Sequence, residues 1–273
     1  MTAVSLSLDD EFQRDGYVLQ RAVFSPEACV ALNARLSELV VQVAEEHRRG
    51  ERDMLSPWST LRRSAHGLGV LWNAGPSATH LSEPQVMRVG HALHAVDARF
   101  DAACRHPGVG PVLERLASPD ARIVSSAVIY KQPASDAVQF GLHRDAWFIT
   151  TAPESLVLAF IALDPMDDVN GCLEVAPGSH HAPLTTSLTL TDTGFAPAGG
   201  DTPREPELTT RPLHMSRGDV AFVHGRTFHR SGPNHSEAPR RALIVHAMSG
   251  ASTVTPSTWL QAPEGGFERL GER

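Results

Sequence analysis

The sequence is poor in cysteine, has only two tyrosines, and contains neither a long apolar run nor a block of basic residues. Cys29, Cys104 and Cys172 are far apart and odd in number. That excludes a disulfide framework and suits reduced, buried thiols in a cytoplasmic protein. No stretch approaches the roughly 20 apolar residues of a membrane span, so no membrane partner is expected. Met1 to Asp10 lacks the basic start and apolar segment of a secretory signal. Basic residues cluster no further than a pair or so, and the formal net charge is −7. Nucleic acid, which needs a basic patch, is therefore not an expected partner. With no Gly/Ser-rich or charged linker, 1–273 reads as a single soluble domain.

Periodicity divides the chain into a helical part and a strand-rich part. Leu6 to Asp15 predicts a short helix ended by Gly16, and Tyr17 to Leu19 a strand. Ser25-Pro26-Glu27 is a helix cap followed by proline at the first helical position. Cys29, Leu32, Leu36, Leu39, Val40 and Val43 then recur at helical spacing to about Arg48. Helical spacing is also read from Glu83 to Cys104, with Val86, Val89, Leu93 and Val96 on one face, and from Gly108 to Leu116. Beyond Ala121 the texture changes. Ile123–Tyr130, Leu156–Leu163, Leu173–Ala176, Val220–Val223 and Ala242–Ala247 read as strands, separated by turn signals such as Val169-Asn170-Gly171 and Pro177-Gly178-Ser179. The expected fold is α+β: residues 1–120 mainly helical support packed on one sheet, and 121–250 a double-stranded β-helix, or cupin-like jelly roll. Thr185 to Pro206, rich in Thr, Pro and Gly, reads as an insertion loop, with 185–210 a candidate lid.

Within the strand-rich part, His143-Arg144-Asp145 and the distant His229 supply two imidazoles and one carboxylate. This set holds non-haem Fe(II) on one face and leaves positions open for other ligands. His143 and Asp145 are one residue apart, so in an extended segment they share a face. A 2-oxo acid can chelate such an iron, and its far carboxylate needs a positioned cation. Arg240, just ahead of the strand Ala242–Ala247, fits that need, and Ser231 lies two residues after His229. Arg241 then projects to the opposite face and is expected to be solvated. Taken singly, each residue has a plainer reading as a surface, turn or cap residue; their joint spacing carries the metal assignment.

Other candidates are weaker. His91 and His94 form an i,i+3 pair on the expected helix, but packing or surface exposure explains them better. His180-His181 belongs to a turn. His224 is a decoy ligand that alternation turns away from His229. Trp147 and Phe148 either wall the site or belong to the core. Trp72 and Asn73 read as a surface loop in preference to a substrate-facing one.

An ordered series of segments now resembles a known family. It comprises Phe12-Gln13-Arg14-Asp15-Gly16-Tyr17-Val18, Gly90-His91-Ala92-Leu93-His94-Ala95, Ile129-Tyr130-Lys131-Gln132-Pro133, His143-Arg144-Asp145, Asn170-Gly171-Cys172-Leu173, Pro177-Gly178-Ser179-His180, His229 to Arg240, and Trp259-Leu260-Gln261. The chain resembles the phytanoyl-CoA dioxygenase family of Fe(II)- and 2-oxoglutarate-dependent oxygenases, above all its domain-containing protein 1 branch. The resemblance implies a double-stranded β-helix and O2-dependent decarboxylation of 2-oxoglutarate to succinate, coupled to oxidation of a substrate. It implies His143, Asp145 and His229 as iron ligands, and Arg240, assisted by Ser231, on the distal carboxylate of 2-oxoglutarate. Arg88 stands where the branch carries a cosubstrate-contacting lysine, and Phe160 where a tryptophan is typical. Arg144 departs from the common His-Gln-Asp and is expected at the substrate rim with Trp147 and Phe148. Asp145 disfavours halogenation, since halogenating relatives lack this carboxylate. The expected substrate is a small organic metabolite or natural-product intermediate. Rival readings are an acyl-CoA hydroxylase and a catalytically silent metal-binding module; monomer and homodimer stay equally open.

Overall fold

In the computed structural model, residues 7–73, 81–136, 138–199 and 206–271 are described. Two antiparallel sheets carry the architecture. Sheet I runs in the order β1 (Tyr17–Gln20), β12 (Val220–His224), β7 (Val157–Ala162), β14 (Arg240–Met248), β4 (Arg122–Lys131), β3 (Val86–His91) and β2 (Leu68–Trp72). Sheet II runs β11 (Arg211–Leu213), β8 (Leu173–Val175), β13 (His229–Ser231) and β5 (Phe140–His143). Two small pairs complete the strands among the described residues: β6 (Thr151–Ala152) with β15 (Thr253–Val254), and β9 (Leu188–Leu190) with β10 (Phe195–Pro197).

Period-two alternation explains how sheet I serves two cores at once. Val157, Ala159, Ile161, Val220, Phe222, Leu243 and Val245 join the helix-side cluster. Leu158, Phe160, Ala162, Ala221, Val223 and Ala242 join Leu173, Val175 and Leu213 of sheet II in a second cluster. The central strands are therefore apolar on both faces, which is why they read as continuous runs.

Helices α1 (Leu8–Asp15), α2 (Pro26–Arg48), α3 (Pro57–Arg63), α4 (Leu93–Val96), α5 (Ala98–Cys104) and α6 (Gly110–Ala117) precede β4. Ser7 and Asp10 form a capping box on α1, which ends at left-handed Gly16. Ser25 caps α2 by accepting from the Ala28 amide, with Pro26 in the first turn. The α2 stripe Cys29, Leu32, Leu36, Leu39, Val40 and Val43 is buried in the helix-side core. All three cysteines are free and buried. No described helix is long and apolar enough to cross a membrane.

Several expectations are corrected. The stretch expected as a helix from Glu83 to Cys104 is a short 3-10 turn, strand β3, and then α4 and α5. Val86 and Val89 are three apart and so mimic a helical face, yet they lie on one strand beside β4, where tertiary pairing overrides the local pattern. His91 and His94 are therefore no helical pair. Residues 185–199 contain the β9–β10 pair rather than a plain loop; the 200–205 part of the expected lid, and Leu6 at the start of the first helix, lie outside the described residues. Trp72 ends β2 and is buried in the core instead of standing in a surface loop. Arg241 does face away from the cavity, but its Nε meets Asp164 at 2.7 Å, so an ion pair replaces the expected solvation. His180 is buried in its turn, with Nε2 on the Gln13 carbonyl at 3.0 Å.

Buried and half-buried histidines make the fold acid-sensitive. His224 is pushed down to about 4, first by burial and then by His180 and Arg226. His91 is pushed well below its ordinary 6.5, first by burial and then by Arg88. A folded value below the unfolded one means that the unfolded chain binds more protons between the two. The stability is full above about pH 6.5 and is lost as pH falls through about 4. His224 alone contributes on the order of 2 kcal/mol, allowing for its partial exposure. Melting curves between about pH 7 and 4 should show this decline, and His224→Asn should flatten it. A slope unchanged by that substitution contradicts the assignment.

Candidate metal and cosubstrate site

The site forms where sheet II's inner edge faces β14 and β3. Strand β5 ends at His143; Arg144 remains extended, with φ −128 and ψ 140, so Asp145 returns to the face of His143. His229 opens β13 and pairs directly with His143 across the sheet, their rings 4.3 Å apart. The His143 and His229 Nε2 atoms lie 3.9 and 3.7 Å from Asp145 Oδ1. Ligand atoms from all three residues fall within 4.8 Å of one another.

Local hydrogen bonds fix the tautomers. His143 Nδ1 donates to the Gly141 carbonyl at 2.8 Å, and His229 Nδ1 to the Thr227 carbonyl at 3.0 Å. Each ring thus turns its Nε2 lone pair inward, as metal-ligating histidines do. Burial, then His229, pushes His143 down to about 4, so it is neutral near pH 7. Burial alone would raise Asp145, but His229, His246 and His143 together hold its carboxyl below the usual range. Its Oδ2 is buried without a hydrogen-bond partner. An ionised carboxylate with an orphaned oxygen beside inward-facing imidazoles is a donor set that fits a divalent metal ion.

Three arginines line the same cavity, whose volume is about 80 Å³; Arg230 is exposed and paired with Glu174, which leaves Arg88 and Arg240. Arg240 is 1% exposed; its Nη2 donates to the Gly171 carbonyl at 2.5 Å, and its buried Nε has no partner. Its guanidinium carbon lies 5.9 Å from the centroid of Phe160, which also lines the cavity. Arg88 donates from Nη1 to His91 Nε2 at 3.1 Å. His91 Nδ1 in turn donates to Ser64 Oγ at 2.8 Å, and Ser64 Oγ to the Leu61 carbonyl at 3.0 Å. This relay makes His91 a support for Arg88. Burial pushes both arginines down to about 10. Among the described residues neither forms an ion pair with a carboxylate, so the cavity presents one buried and one half-buried cation to an anionic ligand. Ser231 lies in the same lining. Gly171 takes φ +71, and a Cβ there would meet the Gly232 carbonyl oxygen at 2.3 Å. Only glycine lets this turn close on the His229 segment while presenting its carbonyl to Arg240.

The remaining candidates take other places. Phe148 sets its ring edge-on to His143, centroids 5.8 Å apart, and touches Phe195 of β10 at 4.8 Å. Trp147 is a buried core aromatic packed on Phe228. Arg144 is buried away from the cavity, 4.0 Å from the Phe228 ring centroid, with Nη1 donating to the carbonyls of Ala182 and Pro183. His224 packs on Phe12 and His180, away from the triad.

His246 is the residue that sequence reasoning missed. It lines the cavity, and its Nε2 lies 3.2 Å from Asp145 Oδ2, though without hydrogen-bond alignment. The available signal was parity: on a strand beginning at Arg240, positions 242, 244 and 246 share the face of 240. His246→Leu should weaken Fe(II) binding by roughly 10–100-fold, the usual cost of removing a ligand's supporting partner. A metal titration returning the parental affinity would sink this role.

Comparisons with known proteins find relatives in sequence and in fold. The family model for phytanoyl-CoA dioxygenase matches residues 12–242. The chain is 30% identical to phytanoyl-CoA dioxygenase domain-containing protein 1 of Danio rerio, over 93% of this chain and 94% of that one. The Mus musculus protein of the same name is also 30% identical, over 99% of both chains. Among solved structures, the non-heme alpha-ketoglutarate-dependent carbocyclase SnoK from nogalamycin biosynthesis shares the fold. Its TM-score is 0.68 at 21% identity, covering 92% of this chain and 88% of that one.

Proposed function

Since the chain belongs to the phytanoyl-CoA dioxygenase family and is an Fe(II)- and 2-oxoglutarate-dependent dioxygenase, we propose that His143, Asp145 and His229 hold the iron and that the paired arginines bind the cosubstrate. The two facing sheets form one double-stranded β-helix domain, with the site at its open end. Bound Fe(II) supplies the redox chemistry by which O2 decarboxylates 2-oxoglutarate to succinate and CO2 while a substrate is oxidised. The protein's own groups do the positioning. Arg240 takes the distal carboxylate of 2-oxoglutarate through its planar fork, assisted by Ser231. Arg88, held by His91, contributes a second positive charge, and Phe160 forms an apolar wall that keeps water from the arginine.

The observation that carries this reading is buried Arg240 and half-buried Arg88, without carboxylate partners among the described residues, beside a metal-binding triad. Phe148 stands edge-on to His143 outside the cavity lining, and the organic substrate lies at the cavity mouth on that side. A small organic molecule undergoing hydroxylation is the reaction we infer; no nucleotide-binding feature favours acyl-CoA. The test is 2-oxoglutarate turnover with Fe(II) and O2, following succinate. Stoichiometric iron without succinate, in the absence and presence of a panel of small organic substrates, counts against the assignment.

A further inference from the structure

A second set of metal-binding atoms converges outside the cavity. Asp168 and Cys172 lie on the turn between β7 and β8, and His214 follows β11. Their ligand atoms all fall within 4.8 Å of one another. His214 Nε2 is 3.0 Å from Asp168 Oδ2, and Cys172 Sγ is 3.8 Å from Asp168 Oδ1. Zinc–ligand bonds of about 2.0–2.3 Å at tetrahedral angles separate such atoms by about 3.3–3.7 Å. The three side chains therefore need only small adjustments to share one ion.

We propose that Asp168, Cys172 and His214 form a second metal site for a zinc-class divalent cation, with water as the fourth ligand. The donor set decides the class: thiolate and imidazole select zinc or cobalt over magnesium and calcium. Asp168 and His214 are exposed, which leaves an open path for the ion and room for water. The backbone beneath is already ordered. Asp167 Oδ1 accepts from the amides of Val169 and Asn170, at 2.9 and 3.1 Å, and the Cys172 amide donates to the Asp167 carbonyl at 2.9 Å. Met166 and Met215, flanking the ligands, exchange two backbone hydrogen bonds of 2.8 and 3.0 Å. On binding, the ion takes the place of the Cys172 thiol proton, which passes to water. Among the described residues Asp168 has no arginine partner; its ion pair is with His214, so no existing salt bridge to a permanent cation must break.

Cobalt(II) separates this site from the triad, because only a sulfur ligand gives a sulfur-to-cobalt charge-transfer band. Titrating the full chain with Co(II) should develop that band, which saturates by two equivalents in total because the triad also takes the ion without contributing to the band. It should disappear in Cys172→Ser, weaken about tenfold or more in affinity in His214→Ala, and persist in Asp145→Ala. His214→Ala alters an exposed side chain and serves as the folded control should Cys172→Ser fail to fold. The proposal is overturned by the absence of a band at about ten equivalents of cobalt, by a band that survives Cys172→Ser, or by unchanged affinity in His214→Ala.

Discussion

Replacing Arg240 with leucine should weaken 2-oxoglutarate binding by about 10²–10⁴-fold while raising the melting temperature of the ligand-free protein. The two effects share one cause. A guanidinium 1% exposed, with a single carbonyl acceptor and an unpartnered Nε, has given up most of its hydration without a countercharge. Leucine removes that cost, though it leaves the Gly171 carbonyl without a donor, so the net gain is about 1 kcal/mol. For a chain of this size that is roughly 2–4 °C. In the proposed complex with 2-oxoglutarate the same cation faces a carboxylate, and removing one partner of a buried pair costs about 3–5 kcal/mol. Calorimetry with 2-oxoglutarate and thermal melts of the ligand-free protein measure the two quantities. Unchanged cosubstrate affinity would remove Arg240 from the site; a lowered melting temperature would show that its charge is already compensated in the ligand-free fold.

Asp145→Ala is expected to abolish turnover, with a fall of about 10³-fold or more. Changes to the partners of metal ligands alone cost roughly 10–100-fold, and here the proposed ligand that is removed is also the one carboxylate among the described lining residues. Asp145 also supplies the negative charge that favours ionised Arg88 and lies between His143, His229 and His246. Its loss leaves a donor set of imidazoles facing two arginines, which repels a divalent cation. Iron content after loading and initial rates of succinate formation test this. Iron retained at parental affinity, with rates within about tenfold of the parent, would falsify the ligand assignment.

Much of the candidate site was legible because its residues sit in local patterns. His143 and Asp145 share a face through one extended residue, and Arg240 opens an apolar strand whose alternation aims it inward. The same logic, carried three steps along β14, reaches His246. What misled the reading was spacing without context. Valines at 86 and 89 suit a helix or, when paired, a strand, and pairing with β4 decided the matter. Arg241 was expected in water because its face was known but Asp164, far away in sequence, was not.

The chain's own residue types therefore determined the donor set, its alternation and the absence of a disulfide framework, since these depend on neighbours one or two residues apart. Tertiary structure alone decided that His229 stands opposite His143, that His91 and Ser64 steady Arg88, and that Gly171 turns its carbonyl to Arg240. Each of these joins segments far apart in the chain. Cross-strand register and close backbone approach are set by how the sheets pack as a whole, and no local window of residues encodes them.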